Sequence, residues 1–153
     1  MKTLGESVAA ECRYGDNALD VFGRDAELIF EDSKADYQGH ANILVRTADG
    51  RFAHYEWTYG SCSGCDEWSD RDLTDEQIDT IMRDTAAWFD DAEALVRYLR
   101  LEEPERKYPT DQSPTAGSIP GMIRFLGSGI ADEFKAMGNA FVAWQTAKRR
   151  TLQ

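Results

Sequence analysis

Residues 40–59 carry the pattern that restricts the possible folds of this chain most. The segments 40–47 and 52–59 both alternate between two faces, which is the spacing of β-strands. Between them, Asp49 and Gly50 form a pair typical of a tight hairpin turn, because Gly adopts positive φ without strain. The two segments are therefore predicted to form an antiparallel hairpin.

A third alternating segment begins at Ala26 and precedes a polar turn at residues 32–36. It adds a strand to the hairpin, so we expect a three-stranded antiparallel meander. A capping-box pattern at Thr3 and Glu6 predicts an N-terminal helix that ends near Gly15. Residues 17–23 give only a weak signal for a further helical turn.

Helical spacing dominates the chain after the meander. Thr74 and Gln77 form a second capping box, and the apolar residues that follow predict one long helix to about residue 100. Residues 102–118 contain three prolines and are predicted to be a linker or surface loop. The predicted fold is α+β, with a meander packed against several helices. Residues 1–101 are expected to form the core, and the C-terminal helices, at residues 119–153, are expected to pack on the same domain.

The charge of the chain is unevenly distributed. Its 153 residues include 28 acidic and 17 basic side chains, a net charge of −11. Residues 66–93 alone hold eleven acids and two bases. Such a balance disfavours general nucleic-acid binding and docking on an anionic membrane, both of which need clustered Lys and Arg.

The acidic residues of the long predicted helix are expected to lie largely opposite its apolar side. One negative face of this kind would attract a protein partner with a basic surface. The alternative is that the acidic residues only keep the helix face solvated. Two aromatic residues near the loop before this helix are expected to be exposed anchors for the partner. The candidate partner-binding residues are Asp70, Asp72, Asp75, Glu76, Asp79, Asp84, Asp91, Tyr59 and Trp68.

Cys62 and Cys65 form a Cys-X-X-Cys pair in a Gly- and Ser-rich loop. A structural zinc site requires four ligands. This pair would supply two of them, and Cys12 and a histidine such as His54 would supply the other two. Redox chemistry is disfavoured by the antiparallel context and by the acids that follow the pair. The third alternative is that the cysteines only pack in a tight turn. We therefore expect no obligatory cofactor, with zinc as the alternative.

The loop also carries a resemblance. Residues 36–39, Asp-Tyr-Gln-Gly before a strand, and residues 59–66, Tyr-Gly-Ser-Cys-Ser-Gly-Cys-Asp, resemble small proteins encoded by bacteriophages, a group without an assigned activity. The likeness covers about residues 36–68. It implies an accessory or host-directed role, and it carries over no catalytic residue.

These observations favour a non-enzymatic phage-type protein that binds a macromolecular partner, such as a host factor or defence protein. The alternatives are a zinc- or thiol-dependent protein and a self-associating virion or assembly component. Self-association would use an apolar stripe near the C-terminus, which is also the spacing of a core-facing helix: Ile130, Phe134, Met137, Phe141 and Trp144. The lack of an apolar leader and the odd number of cysteines predict a cytoplasmic protein.

Overall fold

The fold is α+β, as predicted. The computed structural model describes residues 1–34, 39–60, 68, 72–101 and 128–151. The chain forms two compact units, Met1–Trp88 and Phe89–Gln153.

The predicted meander is present in the first unit. Strands β1 (Glu27–Ser33), β2 (Gly39–Arg46) and β3 (Phe52–Tyr59) pair antiparallel, with a bulge in β1 after Leu28. A short fourth strand, β4 (Ala87–Phe89), is hydrogen-bonded beside β3. The three-stranded prediction was therefore one strand short.

The Asp-Gly turn between β2 and β3 is confirmed. Gly50 has φ of +91°, and the Thr47 N–H donates to the Arg51 carbonyl at 2.8 Å. The Asp49 carboxylate accepts from the Thr47 hydroxyl and from the Arg51 side chain. These bonds, that of Thr47 first, lower the pKa of Asp49 to about 2. The turn is thus closed by side chains as well as by backbone.

The predicted N-terminal helix is wrong in its extent. The capping box at Thr3 and Glu6 forms, but it opens the first of two short 3₁₀ helices, Leu4–Glu6 and Val8–Glu11. The α-helix follows later as α1 (Gly15–Phe22), so Gly15 begins a helix instead of ending one. A Cβ at Gly15 would clash with the Ala10 carbonyl, which explains the glycine there.

The predicted single helix from residue 74 to residue 100 is also wrong. It is divided into α2 (Asp75–Thr85), β4 and α3 (Ala92–Leu99). The Thr74–Gln77 capping box is present at the start of α2. Asp91 begins α3, where its carboxylate accepts from the Ala94 N–H at 2.8 Å. A strong N-cap and two aromatic residues that favour strands therefore interrupt the helix.

One face of the sheet forms the core of the first unit. Trp57 is fully buried there, and its indole N–H donates to the Arg13 carbonyl at 2.8 Å. Helices α1 and α2 pack into the same apolar cluster through buried side chains, including Phe22 and Met82. The register of β2 and β3 places Asn42, Leu44 and His54 on the other face, where they are buried as well.

The second unit contains α3 and a long helix, α4 (Ser128–Thr151). Tyr98 of α3 packs between Phe89 and Phe134, with ring centroids 4.7 Å and 5.1 Å away. Met137 and Phe141 are buried on the same side of α4. Phe134, Met137 and Phe141 of the apolar stripe are therefore buried inside the chain, as expected for a core-facing helix. Residues 102–127 lie outside the described part.

Candidate functional site

Helices α1 and α2 bring four carboxylates together. Asp16 and Asp20 are four residues apart on α1, and Asp75 and Asp79 are four apart on α2, so each pair shares one side of its helix. We call these four residues the acidic cluster.

A buried amide holds the two helices in this arrangement. Asn17 is only 5% exposed, and its Nδ2 donates to Asp79 Oδ1 at 2.9 Å and to the Asp75 carbonyl at 3.3 Å. Both bonds of one side chain thus fix α2 against α1. The backbone positions of the four acidic residues are therefore set by the packing of the two helices.

The charges of the cluster repel one another. The charge of Asp79 raises the pKa of Asp20, and a hydrogen bond with Asp79 and the charges of Asp16 and Asp75 act in the same direction. Within the described residues, no Lys or Arg forms an ion pair with these four carboxylates. Arg83 lies one turn after Asp79 and is exposed, but it is not bonded to it. The cluster is therefore a concentration of negative charge that no ion pair of the described residues compensates.

The remaining predicted acidic residues are distributed differently. Glu76 is exposed beside Asp75, and Asp72 is exposed just before α2. Asp84 is exposed near the end of α2, on a different side of the helix from Asp79. Asp91 serves as the cap of α3 in the second unit. Because the helix is interrupted, the predicted continuous negative helix face does not form; Asp70 lies outside the described residues.

Tyr59 and Trp68 are not the exposed anchors that the sequence suggested. Tyr59 is 3% exposed, and its hydroxyl donates to the Lys34 carbonyl. Trp68 is 4% exposed and packs edge-on against Tyr14, with ring centroids 4.7 Å apart. Both aromatic residues support the core, so they cannot anchor a partner without unpacking it.

Cys12 and His54 cannot share a metal ion. Cys12 is buried beside the Tyr59 hydroxyl, 3.5 Å away, on the core face of the sheet. His54 lies five residues from Tyr59 along β3, and therefore on the opposite face and roughly 16 Å away along the strand. Ligands of one zinc ion lie within about 4 Å of each other. The ligand set that combined these two residues is thus wrong, while Cys62 and Cys65 lie outside the described residues.

The surroundings of Cys12 favour the neutral thiol. Its Sγ lies 3.5 Å from the Val8 carbonyl and 3.4 Å from the Lys34 carbonyl, both of which accept hydrogen bonds. Burial raises the pKa of Cys12, and the charges of Glu31 and Glu11 add to this effect. A thiolate for nucleophilic chemistry is therefore disfavoured at this position.

His54 is held as a neutral ring. Its Nε2 lies 2.7 Å from Asn42 Oδ1, so Nε2 carries the proton and donates. Burial lowers the pKa of His54 to about 4. The residue serves the packing of the sheet and is poorly suited to act as a general base near neutral pH.

Asp16, Asp20 and Asn17 were missed by the sequence reasoning. The four-residue spacing of Asp16 and Asp20 was the available signal, but it has value only if residues 15–22 form a helix. Their approach to α2 is a tertiary feature, because Asn17 and Asp79 are 62 residues apart in the chain.

Comparisons with models of protein families, with curated proteins and with solved structures find no match to this chain. Among the described residues, no helix is both long and apolar enough to cross a membrane. No group of three or more His, Cys, Asp or Glu side chains in this part of the chain has the arrangement of a metal site.

Proposed function

We propose that this protein is a phage-type accessory protein that acts by binding a macromolecular partner with a basic surface through the acidic cluster. The observation that supports this most is the nearness of Asp20 and Asp79, whose charges repel each other and with which no Lys or Arg of the described residues forms an ion pair. Such an arrangement is unfavourable in the free protein. It becomes favourable when Lys or Arg side chains of a partner lie against it.

The geometry also supports a defined binding surface. Asn17 fixes α1 against α2, so a partner meets carboxylates whose backbones are already ordered. Glu76 and Asp72 extend the negative surface at the start of α2. Because these residues are exposed, we expect them to accelerate association and to make binding sensitive to salt.

The test uses two variants of equal charge. The cluster variant carries Asp16→Asn, Asp20→Asn and Asp79→Asn, and an amide oxygen at position 79 still accepts from Asn17. The control variant carries Glu11→Gln, Asp25→Asn and Glu93→Gln, which removes the same charge from exposed positions elsewhere. Any effect of net charge alone is therefore the same in both variants.

Each form of the full chain is immobilised, exposed to a bacterial lysate and analysed by quantitative mass spectrometry. We expect a partner that wild type and control variant both retain, that salt elutes and that the cluster variant loses. Three charge pairs at the surface, at roughly 0.5 kcal/mol each, correspond to about a tenfold rise in Kd for the cluster variant. Equal retention by the cluster variant and wild type would contradict the proposal.

A further inference from the structure

Asp49 is the only Asp or Asn in the sequence that is followed directly by a glycine. In an Asp-Gly pair the glycine nitrogen can attack the side-chain Cγ of the aspartate, because glycine has no Cβ to hinder the approach. The N–C bond that forms closes a five-membered succinimide ring, and the carboxyl OH leaves as water with the amide proton. Water then opens the ring at the main-chain carbonyl. This breaks the original peptide bond and leaves the chain linked through the side chain, as isoaspartate.

The closed turn between β2 and β3 holds both reacting groups in other bonds. The nucleophile is the Gly50 nitrogen, whose N–H donates to the Thr47 carbonyl at 2.9 Å. The electrophile is the Asp49 carboxyl group. Its Oδ1 accepts from the Thr47 hydroxyl and from the Arg51 backbone N–H at 3.2 Å, and its Oδ2 accepts from Arg51 Nε at 2.8 Å. Ring closure turns the carboxyl group towards the Gly50 nitrogen, so it competes with all of these bonds.

The same bonds keep the Asp49 carboxyl group ionised. The bond from the Thr47 hydroxyl, followed by those from Arg51, lowers the pKa of Asp49 to about 2. Water leaves readily only from the protonated acid. Relative to an ordinary aspartate with a pKa of 3.8, the protonated fraction at neutral pH falls by more than about tenfold. The Asp49 side chain is 54% exposed, so its protection comes from these bonds and not from burial.

A residue outside the hairpin holds Arg51 in place. The guanidinium carbon of Arg51 lies 4.4 Å from the centre of the Trp88 ring, a cation–π contact. The Trp88 indole N–H in turn donates to the Arg83 carbonyl at 2.9 Å. The bonds around Asp49 therefore depend on the tertiary structure of the first unit, and they are lost together when the hairpin opens.

We propose that Asp49 is a site of isoaspartate formation that the native turn protects, so that the product accumulates in chains whose hairpin has opened. The isoaspartyl linkage adds one atom to the backbone, so β2 and β3 cannot close the same turn afterwards. The amount of isoaspartate at residue 49 therefore records the time that the hairpin has spent open. This inference is independent of the acidic cluster, because none of the residues around the turn belongs to it.

Ageing of the full chain at neutral pH tests the proposal. Trypsin cleaves after Arg46 and Arg51 and releases residues 47–51, in which isoaspartate is separated from aspartate by chromatography at unchanged mass. Electron-transfer fragmentation then identifies the linkage. We expect the product to form at least about tenfold faster in chains unfolded by guanidinium chloride than in the folded protein. Equal rates in the two states, or faster isoaspartate formation at other aspartates of the unfolded chain, would overturn the proposal.

Three variants test the role of the turn, each confirmed to be folded by circular dichroism. Thr47→Val removes the hydroxyl that bonds Asp49, and we expect it to form isoaspartate about fivefold faster than wild type, the factor that corresponds to one lost hydrogen bond. Thr80→Val, which removes an exposed hydroxyl from α2, retains the wild-type rate. Met82→Ala weakens the core without changing the turn, so it also retains that rate. A wild-type rate for Thr47→Val, or an equally raised rate for Met82→Ala, overturns the protection by the turn.

Discussion

Buried His54 makes the stability of the protein depend on pH in a defined window. Its pKa is about 4 in the folded protein and about 6.5 in the unfolded chain. Between these values the unfolded chain binds more protons, so the unfolding free energy rises with pH in this window. The contribution of His54 is fully present above pH 6.5 and is lost as the pH falls towards 4.

The size of this contribution follows from the two pKa values. Each unit of difference corresponds to about 1.4 kcal/mol, so the full effect is roughly 3 kcal/mol, of which roughly 2 kcal/mol is lost between pH 7 and pH 5. His54→Gln removes the titrating group, while its side-chain amide can still donate to Asn42 Oδ1. Other titrating groups act equally on both proteins, so the difference between them isolates His54.

The assay is urea denaturation at several pH values between 5 and 7, monitored by tryptophan fluorescence, since Trp57 is fully buried. We expect wild type to lose roughly 2 kcal/mol more than His54→Gln between pH 7 and pH 5. His40→Gln, which removes the other histidine of the chain, is the matched control and should follow wild type. Parallel curves for wild type and His54→Gln would refute the account of His54 as a buried neutral ring.

Three further predictions concern the fold. Asp20→Asn should raise the unfolding free energy at pH 7 by about 0.3–0.5 kcal/mol, because it removes repulsion from Asp79 and Asp16. Near pH 3, where carboxyl groups are protonated, the same substitution should have no effect. Urea denaturation measures both values, and a lower unfolding free energy at pH 7 would contradict the prediction. Gly50→Ala should cost about 1–2 kcal/mol in the same assay, because φ is +91° there, and an unchanged midpoint would refute the strained turn. Met82→Ala should lower the unfolding free energy by about 2–5 kcal/mol, because Met82 is fully buried. Glu76→Ala should lower it by less than about 0.5 kcal/mol, because Glu76 is exposed. Similar losses for the two variants in thermal denaturation would contradict the assigned core.

The features that could be predicted from the sequence are the local ones. The hairpin was predictable because Asp49 and Gly50 are adjacent and the alternation on either side is regular. The start of α2 was predictable because Thr74 and Gln77 satisfy each other's backbone within one turn. In both cases the residues that decide the structure are neighbours in the chain.

The errors arose where distant residues decide. Apolar spacing continues through Trp88 and Phe89, and it is compatible with a helix as well as with a strand. What distinguishes the two is the available edge of β3, which the local sequence does not reveal. Similarly, Tyr59 and Trp68 were expected to be exposed because they flank a polar loop, but Lys34 and Tyr14 provide partners that bury them.

The acidic cluster combines both situations. Asp75, Glu76 and Asp79 were identified from charge alone, whereas Asp16 and Asp20 join them only because α1 packs on α2. The density of acidic residues in the sequence therefore identified the contribution of α2 to the cluster. The contribution of α1 became visible only in the tertiary structure.

The proposed partner contacts α1 and the first turns of α2 with a basic surface. Hydrogen–deuterium exchange of the full chain, measured with and without a partner retained by wild type and the control variant, tests this most directly. We expect slower exchange on binding in peptides that cover residues 15–22 and 75–82, with no change there for the cluster variant. Protection confined to other segments, with unchanged exchange in both helices, would contradict it.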